Sequence, residues 1–159
     1  MITAELVGAK ELEASLVELA KLYGAKSVKA IFNPPLRKAS AGILQDIKQN
    51  TPVDSGALRD SVDMKVGRPN KVRLKSKAVD EYTVSESRIG WFWRRGDKVN
   101  SFEALSIEFG NQKTAAQPVL RKALQNGASQ AVKILQLEIG KSIKKTAKRL
   151  AKKRLKGQI

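Results

Sequence analysis

The sequence predicts an α+β fold: two N-terminal helices, an antiparallel sheet of three to four strands, and a long C-terminal helix packed on the sheet with a basic end. Three observations predict it. Apolar residues recur at three- and four-residue steps over residues 6–23 and 36–50. The apolar spacing drops to two after Gly56 and persists to Leu74. From Pro118 onward helical spacing returns as one long run.

The first helix, residues 6–23, carries Leu12, Leu16, Leu19 and Tyr23 on one face, with Glu11, Glu13, Glu18 and Lys21 mostly on the other, and Gly24 is placed to end it. A second helix is expected to start near Pro34 and Pro35, where missing N–H groups cost least. Leu36, Ala39, Ile43, Leu44 and Ile47 supply its apolar stripe as far as Asn50. Thr51-Pro52 stops it, because a residue before proline is pushed out of the α region. Leu58, Val62, Met64 and Val66 then line one side of an alternating run, which the turn cluster at residues 67–70 interrupts. Residues 72–75 alternate again, residues 79–89 make a weaker strand, and Gly96-Asp97 marks a further turn. Residues 102–109 fit either a strand or a short helix. The last helix places Leu120, Leu124, Ala128, Ala131, Leu135, Ile139, Ile143, Ala147 and Leu150 at helical steps. No internal repeat is present. Residues 1–140 are expected to form one domain, and residues 141–159 a basic helical extension.

Composition narrows the chemistry. A chain of 159 residues is long enough to bury roughly two thirds of its unfolded surface. It contains no Cys and no His, which removes disulfides, thiolate metal sites and the usual proton shuttle near neutral pH. No apolar run approaches the roughly 20 residues that span a bilayer. The N-terminus is mixed in charge and amphipathic, unlike a secretory signal. These features predict a soluble chain of cytoplasmic type without a cofactor.

Charge is the extreme feature: 31 Lys and Arg against 15 Asp and Glu give a net +16. Nine of the cations (Lys141, Lys144, Lys145, Lys148, Arg149, Lys152, Lys153, Arg154 and Lys156) fall in residues 141–159, which contain no acid. So many uncompensated charges repel one another, and an arm of this kind attracts a polyanion with little sequence preference. Trp91-Phe92-Trp93-Arg94-Arg95 is the other concentration of unusual residues. Tryptophan, phenylalanine and arginine are enriched at protein contacts, so this segment is a candidate subunit interface. Stacking on single-stranded nucleic acid is the competing use. A standalone nucleic-acid binder built from the arm and these aromatics is therefore the alternative reading of the chain.

An enzyme would have to use Asp54, Asp60 and Asp63. Their spacing matches no metal loop, no activated nucleophile lies nearby, and Asp54 and Ser55 read better as turn or capping residues. Glycine-rich phosphate cradles are also missing. No catalytic residue and no metal ligand is assigned.

Three stretches in order carry a family resemblance: "TPVDSGALRDSV" at 51–62, "ALSIEFG" at 104–110 and "AQPVLRKAL" at 116–124. Together they resemble the tail-completion, or neck, proteins of long-tailed bacteriophages, the gene-product-ten family of lambdoid-type phages. That family looks like a pair of helices ending in a "[AT]PVDTGxLRxSI" turn, then "YAxxVEFGT", then "AQPFLRPAL" opening a long helix. The residues carried over as structural are Pro52, Asp54, Gly56, Leu58, Glu108, Phe109, Gly110, Pro118, Leu120 and Arg121. Glu103 stands where the family has an aromatic, Asn111 replaces Thr, and Val119 and Lys122 replace Phe and Pro. Residues 91–95 and the basic tail lie outside the pattern.

The resemblance implies a non-catalytic virion protein assembling as a ring, by family symmetry a hexamer, at the neck between head and tail. Its implied partners are further copies of itself, head-closure and connector proteins, the tail terminator or tail tube protein, and DNA in the channel. It would meet them in the host cytoplasm during assembly. Physically, Gly56 permits a turn that a side chain would obstruct, and Pro118 pre-sets the backbone of a first helical turn. Glu108, expected on an apolar strand beside Phe109, would need a basic partner to tolerate burial. The 51–62 stretch is thus read as an architectural turn without chemistry of its own.

Overall fold

A computed structural model describes residues 25–70, 85–93 and 101–156. They form helix α1 (Ala25–Asn50), the short helix α2 (Ala57–Asp60), strands β1 (Val62–Gly67) and β2 (Glu86–Trp91), helix α3 (Ser101–Phe109) and helix α4 (Val119–Leu155). The expected first helix at 6–23, the strand at 72–75 and the turn at 96–97 lie outside these residues. By its internal contacts the chain divides into two units, one of residues 1–38, 66–86 and 132–159, the other of residues 39–65 and 87–131.

In the second unit, α1 turns Ala39, Ile43 and Ile47 inward at four-residue steps. Ile43 and Ile47 meet Val62 of β1 and Val119 and Ala123 of α4, with Leu44, Ile89, Trp91, Ile107, Leu120 and Ala131 packed around them. Full burial of a side chain such as Ile47 or Val62 contributes about 1.5–3 kcal/mol. At Gly127 helix α4 lies tight against α1, since a methyl group there would lie 2.6 Å from Ile43 Cγ1. Only a residue without a side chain allows that spacing.

Thr51 ends α1: its N–H and its hydroxyl both donate to the Ile47 carbonyl, at 2.9 and 2.7 Å. Gly56, at φ +82°, then starts α2 in the left-handed region. Along β1, Val62 is buried, Met64 and Val66 are half-buried, and Asp63 and Lys65 are exposed, as the alternating pattern required. The Phe92 N–H donates to the Ser61 carbonyl at 2.8 Å. The start of β1 therefore lies beside the end of β2, and the two-stranded sheet is antiparallel.

Several expectations need correction. Pro34 and Pro35 sit inside α1 rather than at its start. Ile31, three residues before them, is wholly buried, so packing holds the helix across the missing donors. Leu58 belongs to α2 rather than to the alternating strand, although it is buried as expected. Residues 101–109 are a helix, so Glu108 and Phe109 are not on a strand. The described residues hold two strands of the expected sheet, and the candidate strand at 72–75 and residues 79–84 of the next lie outside them. Leu124, one of the residues at helical steps along the last helix, is 57% exposed.

Candidate functional site

The second and third sequence motifs meet at one carboxylate. Glu108, near the end of α3, is only 3% exposed. Its Oε2 accepts the Leu120 N–H at 2.9 Å, and its Oε1 accepts the Arg121 N–H at 3.2 Å and the Arg121 Nε at 2.9 Å. Arg121 Nη2 also donates to the Glu108 carbonyl at 2.6 Å. The first turn of α4 exposes backbone donors that no residue within the helix can satisfy, and a negative charge there is further favoured by the helix dipole. The expected basic partner is thus Arg121, while the two backbone bonds went unforeseen because they depend on the path of the intervening loop.

That loop is tightly built. Gly110 has φ +77°, and a methyl group on it would sit 2.9 Å from the Ala116 nitrogen and 3.2 Å from the Thr114 carbonyl. Asn111 Oδ1 accepts the Lys113 and Thr114 N–H groups, each at 2.8 Å, and its Nδ2 donates to Ser106 Oγ at 2.9 Å. The Gln117 N–H returns to the Ile107 carbonyl at 2.7 Å. Pro118 stands immediately before α4, and its carbonyl accepts the Lys122 N–H at 3.1 Å.

The outward face of α3 is apolar. Phe102, Leu105 and Phe109 are 75, 54 and 64% exposed, while Ala104 and Glu108 face inward. The Arg121 guanidinium lies 5.0 Å from the Phe109 ring centroid. Sequence reasoning missed this face, although Phe102, Leu105 and Phe109 stand at helical steps.

The aromatic segment divides. Trp91 packs against the core, its Nε1 buried without a hydrogen-bond partner among the described residues. Phe92 lies 4.1 Å beneath Lys65 Nζ, and Trp93 is 42% exposed. Arg94 and Arg95 fall outside the described residues. Phe92 and Trp93 share a polar cleft of about 480 Å³ with Asp60, Asp63, Lys48 and Lys65. Asp54 is exposed and lines neither this cleft nor the groove described next. Among the described residues no group of three or more carboxylates is arranged to hold a metal ion.

In the first unit, α1 and α4 border a groove of about 480 Å³. Lys38, Lys141, Lys145 and Arg149 line it together with Asn33 and Glu138. Glu138 is held by Lys38 at 2.8 Å and Lys141 at 3.0 Å. The hydrogen bonds from Lys38 and then Lys141 hold its carboxyl below the ordinary glutamate range. Lys144, Lys148, Lys152 and Lys153 are exposed elsewhere along α4, and Lys156 follows its end. No described helix is long and apolar enough to cross a membrane.

A family model described as "Bacteriophage HK97-gp10, putative tail-component" matches residues 10–117, more than half of the chain. The chain belongs to this family. Membership places it among phage tail components in the virion, with other virion proteins as its partners. The match takes in the motifs at 51–62 and 104–110 and stops at Gln117, one residue before Pro118. The end of α3, held by Glu108, is therefore family structure, whereas α4 and its basic half lie beyond the matched residues. No curated protein and no solved structure matches the chain.

Proposed function

We propose that this chain is the tail-completion, or neck, protein of its phage, joining the tail to the DNA-filled head as a hexameric ring. The observation that carries this reading is the apolar outer face of α3 in a chain of a tail-component family. Soluble monomers rarely expose large contiguous apolar patches, and such faces mark contacts between proteins. A face that meets a different surface on the next copy generates a ring when the rotation closes. Phe109 and Leu105 would enter that contact, and the Glu108 clamp would hold their helix against the next one so that the face is rigid before assembly. The aromatic segment, where Trp93 remains exposed, supplies a further contact. Head-closure and connector proteins would meet one side of the ring, and the tail terminator or tail tube the other.

The test is twofold. Mass photometry of the purified chain should give a closed oligomer that Leu105→Asp combined with Phe109→Asp converts to monomers while the circular dichroism stays unchanged. Electron microscopy of virions should place the chain at the joint between capsid and tail. Complete virions lacking it, or rings that survive the double substitution, would refute the reading.

A further inference from the structure

We infer that the groove bordered by α1 and α4 in the first unit binds the sugar–phosphate backbone of double-stranded DNA. This goes beyond the ring reading and holds whether or not copies assemble. The groove carries four cations, Lys38, Lys141, Lys145 and Arg149, against one carboxylate, Glu138. Glu138 is already occupied by Lys38 and Lys141. Lys145 and Arg149 are exposed in the groove wall, and among the described residues neither is paired with an acid.

The neutral groups suit the same ligand. Asn33 lines the same groove, and its Oδ1 accepts the Ser85 hydroxyl at 2.6 Å. Phosphate oxygens accept from Lys, Arg, Ser and Asn side chains alike, whatever the base sequence.

The spacing favours a linear polyanion over an acidic protein surface. Lys141, Lys145 and Arg149 recur every fourth residue, and Lys152 continues the same helix face. At a rise of 1.5 Å per residue this row extends about 16 Å. Duplex DNA presents about nine or ten phosphates over that length, at one charge per roughly 1.7 Å of axis. Carboxylates on a folded protein seldom recur at such density. The contacts inferred are to phosphates, which carry no sequence information, so the binding is independent of sequence.

The experiment measures binding of the full chain to a mixed-sequence DNA duplex across a salt series by fluorescence anisotropy. Lys145→Gln combined with Arg149→Gln should lower the slope of log K against log salt by about 1.8 and weaken binding by one to two orders of magnitude near 0.1 M salt. Glu138→Gln, which releases Lys38 and Lys141, should instead tighten binding by roughly tenfold. Lys113→Gln combined with Lys122→Gln removes the same net charge outside the groove and should leave the slope unchanged. Equal losses in the two double variants would overturn the inference, as would weaker binding by Glu138→Gln or equal affinity for poly-glutamate. The two double variants replace only exposed side chains, and circular dichroism checks that all three variants fold.

Discussion

Replacing Glu108 should cost far more than replacing the arginine it pairs with. Glu108→Ala strips the acceptor from the Leu120 and Arg121 backbone N–H groups and from the Arg121 side chain. The Arg121 side chain is 55% exposed, so water replaces much of what it loses, and that share is about 0.2–1 kcal/mol. Losing a helix cap costs about 0.5–2 kcal/mol, and losing the charge at the helix N-terminus about 0.3–1 kcal/mol more. The sum is about 2–4 kcal/mol once the stranded N–H groups are included. At this chain length a loss of that size lowers Tm by roughly 4–16 °C. Glu108→Gln keeps an acceptor but no charge and should lose about half as much. Arg121→Ala leaves the backbone bonds intact and should cost less than about 1 kcal/mol. Thermal and urea unfolding followed by circular dichroism ranks the three. An Arg121→Ala loss equal to that of Glu108→Ala would refute the view that the backbone bonds dominate.

Two further outcomes are expected. Gly127→Ala drives a methyl group into Ile43 and should cost about 1–3 kcal/mol in overpacking, only partly offset by about 0.5–1 kcal/mol from better helix propensity. Unfolding midpoints should fall, and adding Ile43→Ala should prove less than additive. For Glu138, Lys38 and Lys141 depress the folded carboxyl below its unfolded value. Its stabilisation is therefore present above the ordinary carboxylate range and is lost as pH falls through the folded value. Urea midpoints taken between about pH 6 and pH 3 should decline less in Glu138→Gln than in the native chain.

What the sequence disclosed depended on how much pattern each element offered. The long helix opening after Pro118 was plain because its stripe repeats through many turns. Leu58 was misassigned because it stands four residues before Val62, a step that puts side chains on the same side of both a strand and a helix. Residues 101–109 were undecidable for a related reason: Leu105, Ile107 and Phe109 alternate, while Phe102, Leu105 and Phe109 follow helical steps. The prolines of α1 misled because the local rule places them in a first turn, whereas the burial of Ile31 extends the helix back past them. At the candidate site, the need of Glu108 for a basic partner was legible, and so was the special backbone of Gly56. The pairing of Lys38 with Glu138 was not, because it joins residues far apart in sequence and exists only once α1 and α4 lie side by side.

The grip of Glu108 on α4 has an evolutionary corollary. Two of its bonds end on peptide nitrogens, which every amino acid except proline provides. Changes at positions 120 and 121 thus keep these two bonds, provided neither becomes proline, although Leu120 also packs against the core and the Arg121 side chain adds bonds of its own, while position 108 has no such latitude. A lineage could redesign the opening of its last helix for a different neighbour and still inherit an unaltered anchor.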